Sequence, residues 1–218
     1  MIWVGRASSQ GGPLLVCEAD AYAEWTGATF TDALELEPGC DLARAQAALF
    51  PDDDELDAAV VPFGDGRTGI VWNMDGEGTA DVGTTEDGFV IARSWSGRTG
   101  HRDHVASEHA AAEEQHVLNV TTGDGDLVVV WAPVPVGEVG DFRTPERARA
   151  ALHALAALHP PVSLHLEHLL GVGTVLRTTP GSYAVTVGWH KGVDGRYANP
   201  DDTGPRDHDC CWIRFTLE

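Results

Sequence analysis

The chain has 218 residues, with 34 Asp+Glu against 14 Lys+Arg, a formal net charge of −20, and 43% hydrophobic residues. That length accommodates one domain or two small ones, and the composition is too apolar for wholesale disorder. The charge argues against a nucleic-acid partner, whose phosphates demand Lys and Arg, and against an anionic membrane surface; it favours a basic partner or simply a soluble surface. From the N-terminus, Pro13–Cys17 (PLLVC) predicts a short strand, and Glu18–Trp25 predicts a helical turn or two with an acidic outer face. Asp41–Leu49 reads as a helix with Asp41 as its N-cap and Leu42, Ala45 and Leu49 on one face. Pro51–Asp57 (PDDDELD) is a charge run expected in an exposed loop, and Ala58–Phe63 is the next strand. Gly69–Met74 and Gly88–Trp95 bracket a Gly/Thr/Asp stretch and predict an antiparallel pair with a long connection.

A polar, His- and Glu-rich segment follows, expected as either helix or connector. His116–Thr122 and Asp126–Ala132 flank T-G-D-G-D, which predicts a hairpin, because Asp-Gly suits a type I′ turn. Thr144–Leu158 is the clearest helix. Thr144 caps it, Pro145 takes the first helical position, Ala148, Leu152, Leu155 and Leu158 form a stripe, and Pro160-Pro161 ends it. Ser163–Leu170 is ambiguous between helix and strand. Thr174–Thr178, Ser182–His190 and Cys210–Leu217 read as strands, the last with Cys210 and Cys211 on opposite faces, and Asn199–Asp209 reads as a polar loop. Strands outnumber helices and do not alternate with them in βαβ units. The expectation is therefore an α+β fold, a mainly antiparallel β-sheet or sandwich with a few short helices. Residues 1–97 and 116–218 form two β-rich halves joined by a His-rich connector, 98–115, or else one compact domain.

The chemistry-bearing patterns are sparse. Gly64–Arg67, Asp75–Gly78 and Gly123–Asp126 lack the spacing of a phosphate loop or dinucleotide fingerprint, and the sole lysine, Lys191, is not in such a setting. Asn73, Asp75, Glu77 and Asp81 alternate, but Gly76 and Gly78 are out of register for a calcium loop. His101, His104 and His109, then His165 and His168, then His208, Cys210 and Cys211 provide metal-type ligands without two convergent pairs. There is no G-x-S-x-G; Ser94 and Ser96 lie on or just after a strand, and Cys17 sits in an apolar run suited to packing. The expectation is no catalytic residue, no metal and no cofactor, with a metal-binding protein or hydrolase using the histidines as the alternative. No apolar run reaches membrane-spanning length, the first residues lack a signal-peptide pattern, and the four cysteines follow no disulfide-scaffold spacing, so a cytoplasmic chain with reduced thiols is expected.

What remains is acidic and aromatic. The first 100 residues carry 18 acids against 5 arginines, a net −13 of the −20. Asp52, Asp53, Asp54, Glu55 and Asp57 are the densest point. Trp3, Trp72, Trp95, Trp131, Trp189 and Trp212 fall mostly within strand candidates and read as core. Trp25 lies instead amid Glu18, Asp20, Glu24 and Asp32, a rim of carboxylates around an aromatic anchor. Candidate partner-binding residues are therefore Asp52, Asp53, Asp54, Glu55, Asp57, Trp25, Glu24 and Asp32.

Several short motifs occur in an order that resembles a known family. Gly11-Gly12-Pro13-Leu14-Leu15 is followed by Trp25-Thr26-Gly27 and by Cys40-Asp41-Leu42-Ala43-Arg44-Ala45. Later come Arg93-Ser94-Trp95, Gly181-Ser182-Tyr183-Ala184-Val185 and Trp212-Ile213-Arg214-Phe215. This series resembles the immunity protein 21 family of bacterial polymorphic toxin systems. The sequence departs from the family pattern at Cys40, where the family has Asp, and at Ser94, which interrupts an Arg-Trp. The resemblance implies a cytoplasmic inhibitor that binds a cognate toxin domain, often a nuclease. A nuclease is basic because it holds phosphates, so an inhibitor of charge −20 gains association rate and specificity from complementarity.

Overall fold

A computed structural model describes residues 1–52, 54–73, 77–94, 102, 105–106, 114–123, 126–136, 144–158, 161–165, 172–190 and 210–218. Twelve strands form two six-stranded antiparallel sheets. They are β1 (Ile2–Gln10), β2 (Leu14–Glu18), β3 (Ala58–Phe63), β4 (Arg67–Trp72), β5 (Glu77–Thr84), β6 (Gly88–Ser94), β7 (Gln115–Thr122), β8 (Asp126–Trp131), β9 (Val162–His165), β10 (Val172–Arg177), β11 (Gly181–His190) and β12 (Cys210–Leu217). The first sheet runs β1-β5-β6-β12-β11-β7 and the second β3-β4-β2-β8-β10-β9. Three helices are described: α1 (Ala19–Tyr22), α2 (Asp41–Leu49) and α3 (Pro145–Ala156). The expected α+β class with antiparallel sheets and short helices is the observed one. No helix among the described residues is long and apolar enough to cross a membrane.

Alternation along the strands builds three layers. Leu14, Val16, Ile70, Trp72, Leu127, Val129 and Leu176 of the second sheet meet Ala7, Val82, Phe89, Ile91, Val185, Ile213 and Phe215 of the first in one buried cluster. The intervening residues of the second sheet, among them Leu15, Val61, Phe63, Val71, Val128 and Val130, form another cluster with α1, α2 and α3. The central strands β2 and β8 are therefore apolar on both faces, which is why LLVC and LVVV read as continuous apolar runs. Cys210 and Cys211 do face opposite ways. Cys211 joins the inter-sheet core, while Cys210 packs with Trp212, Val90, Ala92 and Val105 on the far side of the first sheet.

Each sheet takes three strands from residues 1–97 and three from residues 115–218. The two β-rich halves are thus interleaved through both sheets. Where 98–115 is described, Val105 is buried against the first sheet, and Glu114 accepts hydrogen bonds from Trp212 Nε1 (2.7 Å) and Thr186 Oγ1 (3.0 Å) and pairs with Arg214 (2.6 Å).

Several local expectations change. Gly69–Met74 and Gly88–Trp95 are not partners: β4 lies in the second sheet and β6 in the first, and β5 arises from the Gly/Thr/Asp stretch between them. Likewise T-G-D-G-D does not close a hairpin, because β7 pairs with β11 while β8 pairs with β2 and β10. In both cases the connection crosses from sheet to sheet, and burial of two apolar faces outweighs local turn preference. Asp41 is not the N-cap of α2. Cys40 holds that position, its Sγ accepting from Ala43 N at 3.4 Å, and Asp41 is the first helical residue. The α3 stripe ends early, with Ala148 and Leu152 buried and Leu158 half exposed. The strand β1 has no counterpart among the expected elements, since IWVGRASSQ is too polar and Gly-containing to announce one. A register shift lies between Trp3 and Gly5, and a Cβ at Gly5 would fall 2.3 Å from Thr174 Oγ1. That hydroxyl donates to Arg6 O at 2.9 Å and ties the sheets together.

The helix-side core contains two buried acids of high pKa. Burial, and then the neighbouring Glu18, pushes the Cys17 thiol well up; burial, and then Cys17, pushes up the Tyr22 phenol. Groups whose folded pKa is raised add stability that is intact below their ordinary values, 9.0 for the thiol and 10.0 for the phenol, and lost as pH rises above them. Urea midpoints are expected to fall between about pH 8 and about pH 11, and Cys17→Ala to flatten that fall. A wild-type midpoint unchanged over that range contradicts this account.

Candidate partner-binding surface

The sequence-derived candidates separate into an interior set and a surface set. Trp25 belongs to the interior. Its side chain is 1% exposed, its Nε1–H donates to Ala132 O at 2.7 Å, and it meets Phe63 edge-to-face at 5.0 Å. The surface anchor expected there is therefore a core residue. The carboxylates near it in sequence project away, while the indole follows the apolar side of the α1 exit.

Trp25-Thr26-Gly27 works as a clasp. Ala28 N donates to Pro133 O at 2.8 Å, and Thr26 N and Oγ1 both donate to Asp41 Oδ2 at 2.6 Å. Asp41 is completely buried and also pairs with Arg44. Gly27 sits at φ +61°, and a Cβ there would fall 2.5 Å from Pro133 O and Pro135 N. Only glycine fits both constraints.

Glu24 is also occupied internally. It accepts from Asp65 N at 3.1 Å and pairs with Arg149 (3.4 Å) and Arg67 (3.6 Å). Asp20 pairs with His153 (2.6 Å) and Arg149 (3.7 Å), so this charged group fastens α1 to α3.

The surface set lies beyond the two ends of α2. After its C-terminus, Asp52 and Asp54 are exposed on the loop to β3, Asp52 at φ +48°. Asn73 Nδ2 donates to Glu55 Oε1 at 2.8 Å, and Asn73 N to Asp57 O at 2.8 Å, so this acidic run is fastened to β4. Asp53 lies outside the described residues. Phe50, Leu56 and Val60 are substantially exposed beside these acids in the chain.

Before α2 stands a small hairpin that no sequence signal announced. Leu34 N donates to Thr31 O (2.9 Å), Thr31 N to Glu35 O (2.8 Å), and Phe30 bridges Leu36. A three-residue loop of this pattern ends in a left-handed residue that is ordinarily glycine. Here it is Leu34, at φ +62° and 83% exposed. A left-handed leucine costs about 1 kcal/mol. Phe30 is 58% exposed on the same hairpin, with Asp32, Glu35 and Glu37 exposed around it. The exposed apolar side chains set among exposed carboxylates are thus Phe30 and Leu34 rather than Trp25, and of the sequence-derived candidates Asp32 stands among them.

Most of the histidines singled out in the sequence fall outside the structural description. His101, His104, His109, His168 and His208 lie outside the described residues, as do Ser96 and Trp95, while His165 lies on β9. All four cysteines are free and buried, and no group of three His, Cys, Asp or Glu among the described residues is placed to hold a metal.

No family model, no curated protein and no solved structure matches this chain.

Two substitutions separate core from surface. Trp25→Phe strands Ala132 O and is expected to cost about 1–3 kcal/mol in urea unfolding. Leu34→Gly relieves the left-handed strain and is expected to raise stability by about 1 kcal/mol. A loss of stability in the glycine variant means that Leu34 packs rather than projects.

Proposed function

We propose that this chain is a binding protein that neutralises a basic protein partner, an immunity protein whose target is a cognate toxin domain, in keeping with its resemblance to the immunity protein 21 family. The observation that carries the proposal is Leu34, an exposed leucine in a strained left-handed conformation, beside exposed Phe30 and among Asp32, Glu35 and Glu37. Backbone strain on a side chain that is 83% exposed costs stability, and strain of this kind concentrates where side chains serve recognition. Apolar anchors within a charged rim match the usual anatomy of a specific interface. The acids supply the complement to a Lys/Arg-rich partner and, with the net charge of −20, steer its approach. In this reading the inhibitor works by occupying the partner's cationic substrate surface and needs no catalytic group, metal or cofactor of its own.

The test is to identify the product of the neighbouring gene and titrate the purified chain against it. Tight complex formation with loss of toxin activity is expected, and absence of both refutes the proposal. Leu34→Ala is expected to weaken the complex by at least 2 kcal/mol, about 30-fold, chiefly through faster dissociation. Replacing Asp52 and Asp54 by Asn is expected to slow association at low salt and to have little effect at high salt. An unchanged rate at low salt removes that loop from the interface.

A further inference from the structure

Against the net charge of −20, two arginines, Arg6 and Arg102, stand together at one place among the described residues. They lie along edge strand β1 of the first sheet, where β9, the edge strand of the second, approaches it. A pocket of about 470 Å³ opens there between Trp3, Arg6, Ser8, Thr79, Arg102 and Ser163. The carboxylate of Asp81, almost fully buried, stands behind the two arginines. Arg6 Nε donates to Asp81 Oδ1 at 2.9 Å, and Arg102 Nε donates to Asp81 Oδ2 at 2.9 Å, with Arg102 Nη2 also on Oδ1. One carboxylate therefore orients two guanidinium groups, and these three residues together carry a net charge of +1. The guanidinium of Arg102 also lies over the Trp3 ring, 5.6 Å from its centre, which fixes its plane.

Neither arginine is consumed by Asp81. The Arg6 side chain is 56% exposed and uses only its Nε among the described residues; Arg102 leaves Nη1. Ser8 and Thr79 share a hydrogen bond at 3.2 Å, which leaves one of their two hydroxyl protons to donate outward, and Ser163 adds a third hydroxyl at the rim. The open wall is thus made of donors, and its buried acceptor is already engaged. Two planar cations held by a buried carboxylate beside hydroxyl donors match the oxygens of a tetrahedral oxyanion, for which guanidinium forks are the preferred receptor. The acids of the α2 side do not abolish this site, because exposed charges are screened beyond about 8 Å at physiological salt, whereas ligand in the pocket touches the guanidiniums.

We infer that the Arg6–Arg102 pocket is a binding site for a phosphate-type oxyanion, free or borne on a small molecule, separate from the partner-binding surface. Asp81 is the positioning residue and Trp3 the wall against which a ligand's organic part would lie.

The probe is inorganic phosphate, titrated into the full chain at constant ionic strength. Calorimetry follows the heat, and the Trp3 indole N–H resonance follows the site. Saturable binding with a Kd of about 1 mM is expected, with a shift of the Trp3 signal. Arg6→Gln, at an exposed position that the fold tolerates, is expected to weaken binding about tenfold. Ser163→Leu, also exposed, should weaken it by narrowing the mouth without removing charge. Acetate at the same concentration is expected to bind much more weakly. Phosphate that does not saturate, binding indifferent to Arg6→Gln, or acetate that binds equally well each overturns the assignment.

Discussion

The clasp formed by Trp25, Thr26, Gly27 and Asp41 holds the helix layer to the sandwich. The segment after α1 must leave the second sheet, present a hairpin to solvent and return as α2. Every polar group that this detour buries has to be satisfied. The indole of Trp25 answers the carbonyl of Ala132, and buried Asp41 answers both donors of Thr26. The close approach of Gly27 to the Pro133–Pro135 backbone permits the two chains to meet. The exposed hairpin around Leu34 is thus flanked on both sides by hydrogen-bonded residues, Thr26 and Asp41.

The same logic gives a physical meaning to motifs that first stood out as a pattern. Gly11 and Gly12, at φ +116° and +82°, turn the chain from the first sheet into the second. Ser9 Oγ donates to Gly12 O and accepts from Gly11 N, and Trp131 Nε1 donates to Gly11 O. Trp25-Thr26-Gly27 is the clasp, and Cys40–Ala45 opens the helix that the clasp holds. These residues maintain the fold, and the exposed apolar and acidic side chains Phe30, Asp32, Leu34, Glu35 and Glu37 lie between them.

Charge is distributed to match. The acids at the ends of α2 remain in solvent, whereas Asp20, Glu24, Asp41, Asp81 and Glu114 are drawn into contacts with arginine, histidine or backbone donors. An acidic total therefore conceals two electrostatic surfaces. One is negative and apolar on the helix side, and the other is locally positive along β1.

Much of the architecture was legible in the residues. The strands β2, β3, β8, β11 and β12 and the helices α2 and α3 follow from apolar runs, alternation and caps, since those signals record burial one residue at a time. The pairing of strands was not legible. Asp-Gly at 124–125 carries good local turn chemistry, yet two sheets with complementary apolar faces outweigh it: β7 and β8 lie in different sheets, as do β4 and β5, whereas the turn before Gly88 does close the β5–β6 hairpin. The role of Trp25 was hidden for a related reason. Its neighbours in sequence are acids, but its neighbours in space are Phe63 and the Ala132 carbonyl. Leu34 gave no signal at all, because a left-handed leucine is identified only by its backbone angle. By itself the sequence determined composition, charge, class and most elements, all properties of single residues and short windows. Tertiary structure alone decided which apolar faces met, which carboxylates were absorbed into ion pairs and which side chains were left to face solvent, because those outcomes depend on contacts between residues far apart in the chain.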